Sequence, residues 1–152
     1  MGCFCLRLFD MLFDYLTLFI LAFLSATLLP GGSEVYLLTL SQKPEYALSV
    51  LWLIATLGNT LGSAINYILG RYLLHWKDKK WFPVTQKQLD KSQHWFNRYG
   101  YWSMLLAWAP FIGDALTLIA GMMRMHFGLF ILLVLIGKGV RYAIILGLLQ
   151  LI

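Results

Sequence analysis

Four ionisable side chains lie inside stretches that are otherwise apolar: Glu34, Asp114, Lys138 and Arg141. Charge in a hydrocarbon setting is costly, so such residues face a cavity or a partner and mark ion, proton or substrate paths. Two carboxylates brought to one dry site repel each other, which favours holding a proton there. Lys138 and Arg141 are three residues apart and so share one face of a helix. Together they could neutralise a phosphate headgroup or pair with the acids. The blander reading of the same four residues is a static set of ion pairs that fixes helix packing. A Glu34→Gln substitution separates the two: loss of activity with normal expression points to function, loss of the protein to packing.

Asn59 joins this set. With Gly62 and Asn66 it occupies one helical face, which should point into protein because lipid satisfies no amide. Ordinary helix–helix hydrogen bonding and the lining of a polar path both fit Asn59. Gly58 and Gly62 form a G-x-x-x-G, a spacing that lets another helix approach closely. Metal chemistry finds no support, because His75, His94 and His126 are scattered. Cys3 and Cys5 alone build neither a disulfide framework nor a zinc site. The start Met-Gly-Cys approaches a lipidation signal, but Leu6 stands where that pattern needs Ser or Thr. There is no G-x-S-x-G, no H-E-x-x-H and no phosphate-binding glycine loop, so the chain reads as a non-enzyme without cofactor or metal. An intramembrane hydrolase using Glu34 and Asp114 is the one enzymatic alternative.

What positions these residues follows from composition. Of 152 residues, 60% are hydrophobic and 12% charged, with a mean hydropathy of +0.71. Soluble domains carry roughly 25% charged residues. That excludes a cytosolic globular enzyme, a disordered chain, a solenoid and a separate soluble domain, and leaves an integral membrane protein. The net charge is +5, and the excess belongs wholly to residues 71–98. Cytoplasmic loops retain Lys and Arg, so this loop is placed in the cytoplasm. A single basic loop between apolar spans is no nucleic-acid-binding module, so nucleic acid is not an expected partner.

Tyr15 to Leu29 is apolar, with Asp10 and Asp14 just ahead where a signal peptide would be basic. Pro30, Gly31 and Gly32 stop the run. Ser33 reads as an N-cap, and Glu34 to Ser41 as a short helix rising about 12 Å, too short for a hydrocarbon core of about 30 Å. Tyr46 to Gly70 has no charge and can span. Thr85 and Gln88 suggest a capping box, after which Lys87, Lys91, His94 and Arg98 form a basic stripe. That segment reads as an amphipathic helix on anionic headgroups, with a solvated connector as the alternative. Tyr101 to Met123 is broken by Pro110 and Gly113, with Asp114 inside it; Phe127 to Ile152 is long enough to cross. Trp76, Trp81, Trp95 and Trp102 look like interfacial belt residues, and Arg71 and Arg124 like anchors of helix ends at headgroups.

The halves echo one another. Pro30 is followed four residues later by Glu34, and Pro110 four residues later by Asp114. The offsets from Glu34 to Gly58 and from Asp114 to Gly137 differ by one residue. With residues 71–99 cytoplasmic, the first hairpin enters from outside and the second from inside. The expected fold is therefore all-α, in two inverted repeats, each a broken re-entrant hairpin followed by a transmembrane helix. One membrane domain covers 1–152: repeat 1 over about 11–70, the basic linker 71–99 and repeat 2 over about 100–152. The competing topology lets residues 11–29 cross fully. Inverted repeats with discontinuous helices are how many transporters build a midplane site.

The stretch Leu28-Leu29-Pro30-Gly31-Gly32-Ser33-Glu34, then Gly58-Asn59-Thr60-Leu61-Gly62 with Tyr67, Gly70 and Arg71, resembles the DedA family, also called SNARE-associated or VTT. So does Pro110 through Ala120-Gly121, ending in Gly137-Lys138 and Arg141-Tyr142. The likeness runs from about residue 26 to residue 141 and is nearest to the short YqaA-like branch. It implies paired re-entrant hairpins, an inner-membrane location and lipid handling, including flipping of undecaprenyl phosphate, lipid scrambling and proton-dependent membrane homeostasis. The better-studied branch has arginines three residues before and after the second-hairpin proline. Here those positions hold Ala107 and Gly113, which leaves Lys138 and Arg141 as candidates to replace them.

The function expected is a small polytopic inner-membrane transporter or flippase for an anionic lipid, with protons as candidate coupling ions. The alternative is a non-transporting organiser that acts through helix packing with partners. Expected partners are membrane lipids and their anionic headgroups. A homo-oligomer would help so short a chain enclose a path.

Overall fold

The computed structural model describes residues 2–26, 32–73, 94, 98, 102, 104–105 and 112–150. They form five principal α-helices: α1 (Gly2–Ser25), α2 (Gly32–Ser41), α3 (Leu48–Leu73), α4 (Ile112–Met122) and α5 (Phe127–Gln150). No strand occurs among the described residues. The expected helix breaks at Pro30, Gly31 and Pro110 lie outside the described residues. So does most of the basic linker, of which His94 and Arg98 are described as helical and exposed.

Among the described residues, three helices are long and apolar enough to cross a membrane, over Arg7–Ser25, Leu48–Tyr72 and Phe127–Gly147. Their exposed residues explain why. Leu53, Leu57, Leu61 and Ile65 recur every fourth residue on α3, and Leu132, Ile136, Val140 and Ile144 do so on α5. Such spacing lays an apolar stripe along the outer face of a helix. The buried positions meanwhile include Ser33, Asn59, Ser63, Thr117 and Lys138. Apolar outside with polar inside is the arrangement that lipid demands, since hydrocarbon can satisfy no polar group.

Helix α3 is the spine, packing against α1, α4 and α5. One core cluster joins Leu18, Ala22, Leu37, Leu40, Leu51, Ala55, Tyr142 and Leu146 at its N-terminal half. A second joins Tyr67, Leu116, Ala120, Phe130, Leu133 and Val134 at its C-terminal half. The early part of α5 thus meets the late part of α3, and the two run antiparallel. By contrast, Gly58 meets Phe19 and Ala22 while Gly62 meets Phe23 and Ala26, so α1 runs parallel to α3.

Helix α1 is longer than the apolar run from Tyr15 suggests, beginning at Gly2 and carrying Asp10 and Asp14 within it. Both acids can be helical because Asp10 is exposed and Asp14 finds tyrosine donors. Helix α2 starts at Gly32, ahead of the Glu34 at which the sequence pattern begins it. At about 1.5 Å per residue, the ten residues of α2 and eleven of α4 each rise about 15–17 Å, half a hydrocarbon core.

Candidate functional site

Helices α2 and α4 each carry an acid in the first turn, Glu34 and Asp114. A carboxylate is favoured there by the partial positive charge of unpaired backbone N–H groups. Both helix starts meet α5. Lys138 Nζ donates to Asp114 Oδ1 at 3.2 Å, and Arg141 Nη2 donates to Glu34 Oε1. Lys138 also donates to Asn59 Oδ1 on α3. Each acid is therefore held by its own cation, which offsets the repulsion expected of a bare acid pair. From this meeting point α2 runs parallel to α5 and α4 antiparallel to it, so the short helices lead away in opposite directions.

The cations sit deeper than the acids. Lys138 is 2% exposed, whereas the side chains of Glu34 and Asp114 are 28% and 30% exposed. Lys138 follows Phe127 by eleven residues, about 16 Å along the helix and near the middle of a core of about 30 Å. Geometrically this is a partly open mid-depth site, with two cations at its floor and two carboxylates at its rim.

A neutral network supports it. Asn59 Nδ2 donates to Tyr142 Oη at 2.7 Å and to Ser25 Oγ at 3.2 Å. Ser33 Oγ lies 3.1 Å from Ser25 Oγ and 3.0 Å from Tyr142 Oη. One amide thus joins α3 to α1 and α5, its oxygen also receiving Lys138, and the Ser33 hydroxyl ties α2 to the same group. Ser33, read from sequence as an N-cap, lies one residue inside α2, and its buried hydroxyl takes these inter-helix partners instead. Asn66 likewise faces inward, donating to the Ala26 carbonyl at 2.7 Å. Tyr142 and Ser25 are functional candidates that the sequence reading passed over. Two signals were available for Tyr142: it closes the Arg141-Tyr142 pair of the resemblance, and it stands four residues after Lys138 and so shares its helix face.

The remaining expected positions are distributed around this centre. Gly32 opens α2 and is exposed; Gly113 is buried in the first turn of α4. Gly58 and Gly62 bring α3 against the α1 backbone, where a Cβ on Gly58 would stand 2.7 Å from the Phe19 carbonyl oxygen. An analogous close approach joins Gly70 to Leu118 and Gly121 to the Tyr67 backbone.

A second polar group lies where α1, α2 and α3 meet at the other end of α5. Asp14 accepts from Tyr36 at 2.8 Å and from Tyr46, with Lys43 Nζ at 3.7 Å. Burial, and then the bond to Asp14, push the Tyr46 phenol above the usual tyrosine range, so it remains a donor at neutral pH. Asp14 reads from sequence as a mere flank. Its ring of partners depends on residues 22 and 32 positions away, which no local pattern reveals. No group of three or more metal-type ligands occurs among the described residues.

With this geometry in place, comparison with known proteins is informative. The VTT domain family matches residues 33–151. The inner membrane protein YqaA of Escherichia coli (strain K12) is 43% identical over 128 residues, covering 83% of this chain and 84% of that protein. An uncharacterized protein of Haemophilus influenzae is 39% identical over 137 residues, 85% of this chain and 83% of that one. Undecaprenyl phosphate transporter A of Staphylococcus aureus is 30% identical over 136 residues, 82% of this chain and 67% of that one. No solved structure matches.

Proposed function

The chain belongs to the VTT domain family, the DedA proteins, and from that premise we propose that it is a small inner-membrane transporter, flippase-like in action, for an anionic lipid. The substrate class is a polyprenyl phosphate or a phospholipid, and the cycle is coupled to protons. The observation that carries this reading is the meeting of two half-length helix N-termini at mid-depth, each with an acid bound by a cation of one α5 turn. Opposed helix N-termini and two cations favour an anion at that point. The acids hold the cations in its absence. An entering phosphate competes with Asp114 and Glu34 for Lys138 and Arg141, and a proton on either acid lowers the cost of releasing its cation.

The same reading treats α1–α2 and the segment ending in α4 as re-entrant hairpins of two inverted repeats. The opposite directions of α2 and α4 support it, as does the end of α1 beside Asn66 rather than Arg71. The excess of Lys and Arg in residues 71–99 supports a cytoplasmic linker. The name of the E. coli relative supports the inner membrane, and that of the S. aureus relative a lipid-phosphate cargo. The reaction is translocation alone, with no covalent step and no cofactor, and a homo-oligomer would widen the path. One observation favours the alternative organiser role: all four buried-region charges are matched one to one, as in a static brace.

Vesicles reconstituted with the full chain and a fluorescent polyprenyl phosphate separate these readings. Translocation should be lost in the Lys138→Ala, Arg141→Ala double variant; translocation equal to the parent contradicts the assignment. Glu34→Gln should keep expression while losing the response to a pH gradient.

A further inference from the structure

The end of the bundle opposite Asp14 holds a second concentration of positive charge that the central site does not use. An open cavity of about 600 Å³ is lined there by Tyr67, Ile68, Arg71, Tyr72, Arg124 and Phe127. Arg71 lies in the last turn of α3, and Arg124 in the turn joining α4 to α5. Among the described residues neither guanidinium has an acid at ion-pair distance.

The backbone at Arg124 is the second observation. Its φ is 53°, the one positive value at a non-glycine position among the described residues. The Met125 N–H bonds the Ala120 carbonyl at 3.1 Å, and the Arg124 N–H bonds the Gly121 carbonyl at 3.0 Å. That pattern ends a helix through one left-handed residue, a place where glycine is the favoured choice. Here an arginine occupies it against the steric preference. The turn is held firmly, because the buried Tyr67 hydroxyl donates to the Met125 carbonyl. The strained residue is therefore fixed with its cationic side chain at the cavity wall, as strain retained for function would have it.

We propose that this cavity binds a phosphate monoester, the Arg71 and Arg124 guanidiniums clamping its oxygens and the tyrosines flanking them. Two planar forks from separate elements suit a doubly charged phosphate better than a singly charged diester or a zwitterion. By helix rise the cavity lies about 16 Å from Lys138, so it is a separate site at the membrane surface. It serves as a waiting position for a lipid headgroup before the mid-depth cluster, a role that rests on the lipid-transport reading. The binding geometry itself does not depend on that reading.

The test is direct binding to the purified full chain in detergent. Dioctanoyl phosphatidic acid, dioctanoyl phosphatidylcholine and inorganic phosphate are the probes, against the parent, Arg71→Gln and Arg124→Gly. Arg124→Gly relieves the backbone while deleting the cation, so it should melt at a higher temperature yet bind phosphatidic acid roughly tenfold more weakly. Arg71→Gln should lose a similar factor, and phosphatidylcholine should bind no variant well. Arg124→Gly binding phosphatidic acid as the parent does overturns the proposal. Inorganic phosphate binding as tightly as phosphatidic acid overturns the lipid source. Vesicle translocation is measured alongside: its loss in the Lys138→Ala, Arg141→Ala variant with phosphatidic acid binding retained supports two separate sites. If binding at the arginines stands while even the parent fails to translocate, the transport reading fails and the headgroup site remains.

Discussion

Lys138 shows how one side chain can be both the charge carrier and the keystone of packing. Its ammonium meets an acid on α4 and an amide on α3, and it is almost wholly buried. Removing one member of a buried pair leaves the other charge without compensation, at a cost of roughly 3–5 kcal/mol where both are fully buried. Asp114 is partly exposed, so Lys138→Met should cost somewhat less, about 2–3 kcal/mol. Thermal unfolding in detergent should show Lys138→Met melting well below the parent, and a Lys138→Met, Asp114→Asn pair recovering part of the loss. No recovery would show that Asn59, rather than Asp114, is the partner that matters. Tyr142→Phe removes the acceptor of the Asn59 amide and a partner of Ser33, and should cost about 1 kcal/mol by the same measurement. At this scale the charges were legible, because a charge in an apolar run has few explanations. Ser25, Ser33 and Tyr142 were not, because a lone hydroxyl in a helix is common and its partners lie far off in sequence.

Among the elements, small residues decide how closely the helices approach. Gly121 and Gly70 interlock α4 with α3, and Gly58 and Gly62 set α1 against α3. A side chain at Gly121 would meet the backbone of Tyr67, which cannot swing aside. Gly121→Val should therefore push α4 away from α3 and cost about 1–3 kcal/mol, visible as a lowered unfolding temperature. Gly147 offers the control, since nothing stands within 4 Å of its virtual Cβ. Gly147→Ala should be neutral or stabilising by up to about 1 kcal/mol, as expected of a helix interior. The same stability for both variants would mean that the glycines reflect sequence drift rather than packing. The G-x-x-x-G of α3 was legible from spacing alone. The seating of Gly70 against Leu118 and of Gly121 against Tyr67 was not, because each glycine's partner lies on another helix, far away in sequence.

The whole molecule has two polar ends and a charged waist. Asp14, Lys43 and Tyr46 mark one end, and Arg71 and Arg124 the other. If the bundle spans the membrane, these ends face opposite compartments, with the arginines on the side of the basic linker. A chain with Cys3 and Cys5 replaced, carrying Lys43→Cys or His126→Cys, tests this in whole cells. An impermeant thiol reagent should label the first from outside and the second only after permeabilisation. Labelling of both from one side would refute the arrangement. The exposed apolar stripes of α3 and α5 agree with burial in lipid over the stretch between.

Composition and charge placement were enough by themselves to determine a helical membrane protein, its basic loop and the short list of intramembrane charges. These are one-dimensional properties, since hydrophobic length and the siting of Lys and Arg act through the solvent that each segment meets. Which acid binds which cation, and that Asp14, Tyr36 and Tyr46 form one cluster, was decided only by tertiary structure. Such contacts join residues tens of positions apart, and the geometry of helix crossing, absent from any local pattern, selects among many equivalent pairings.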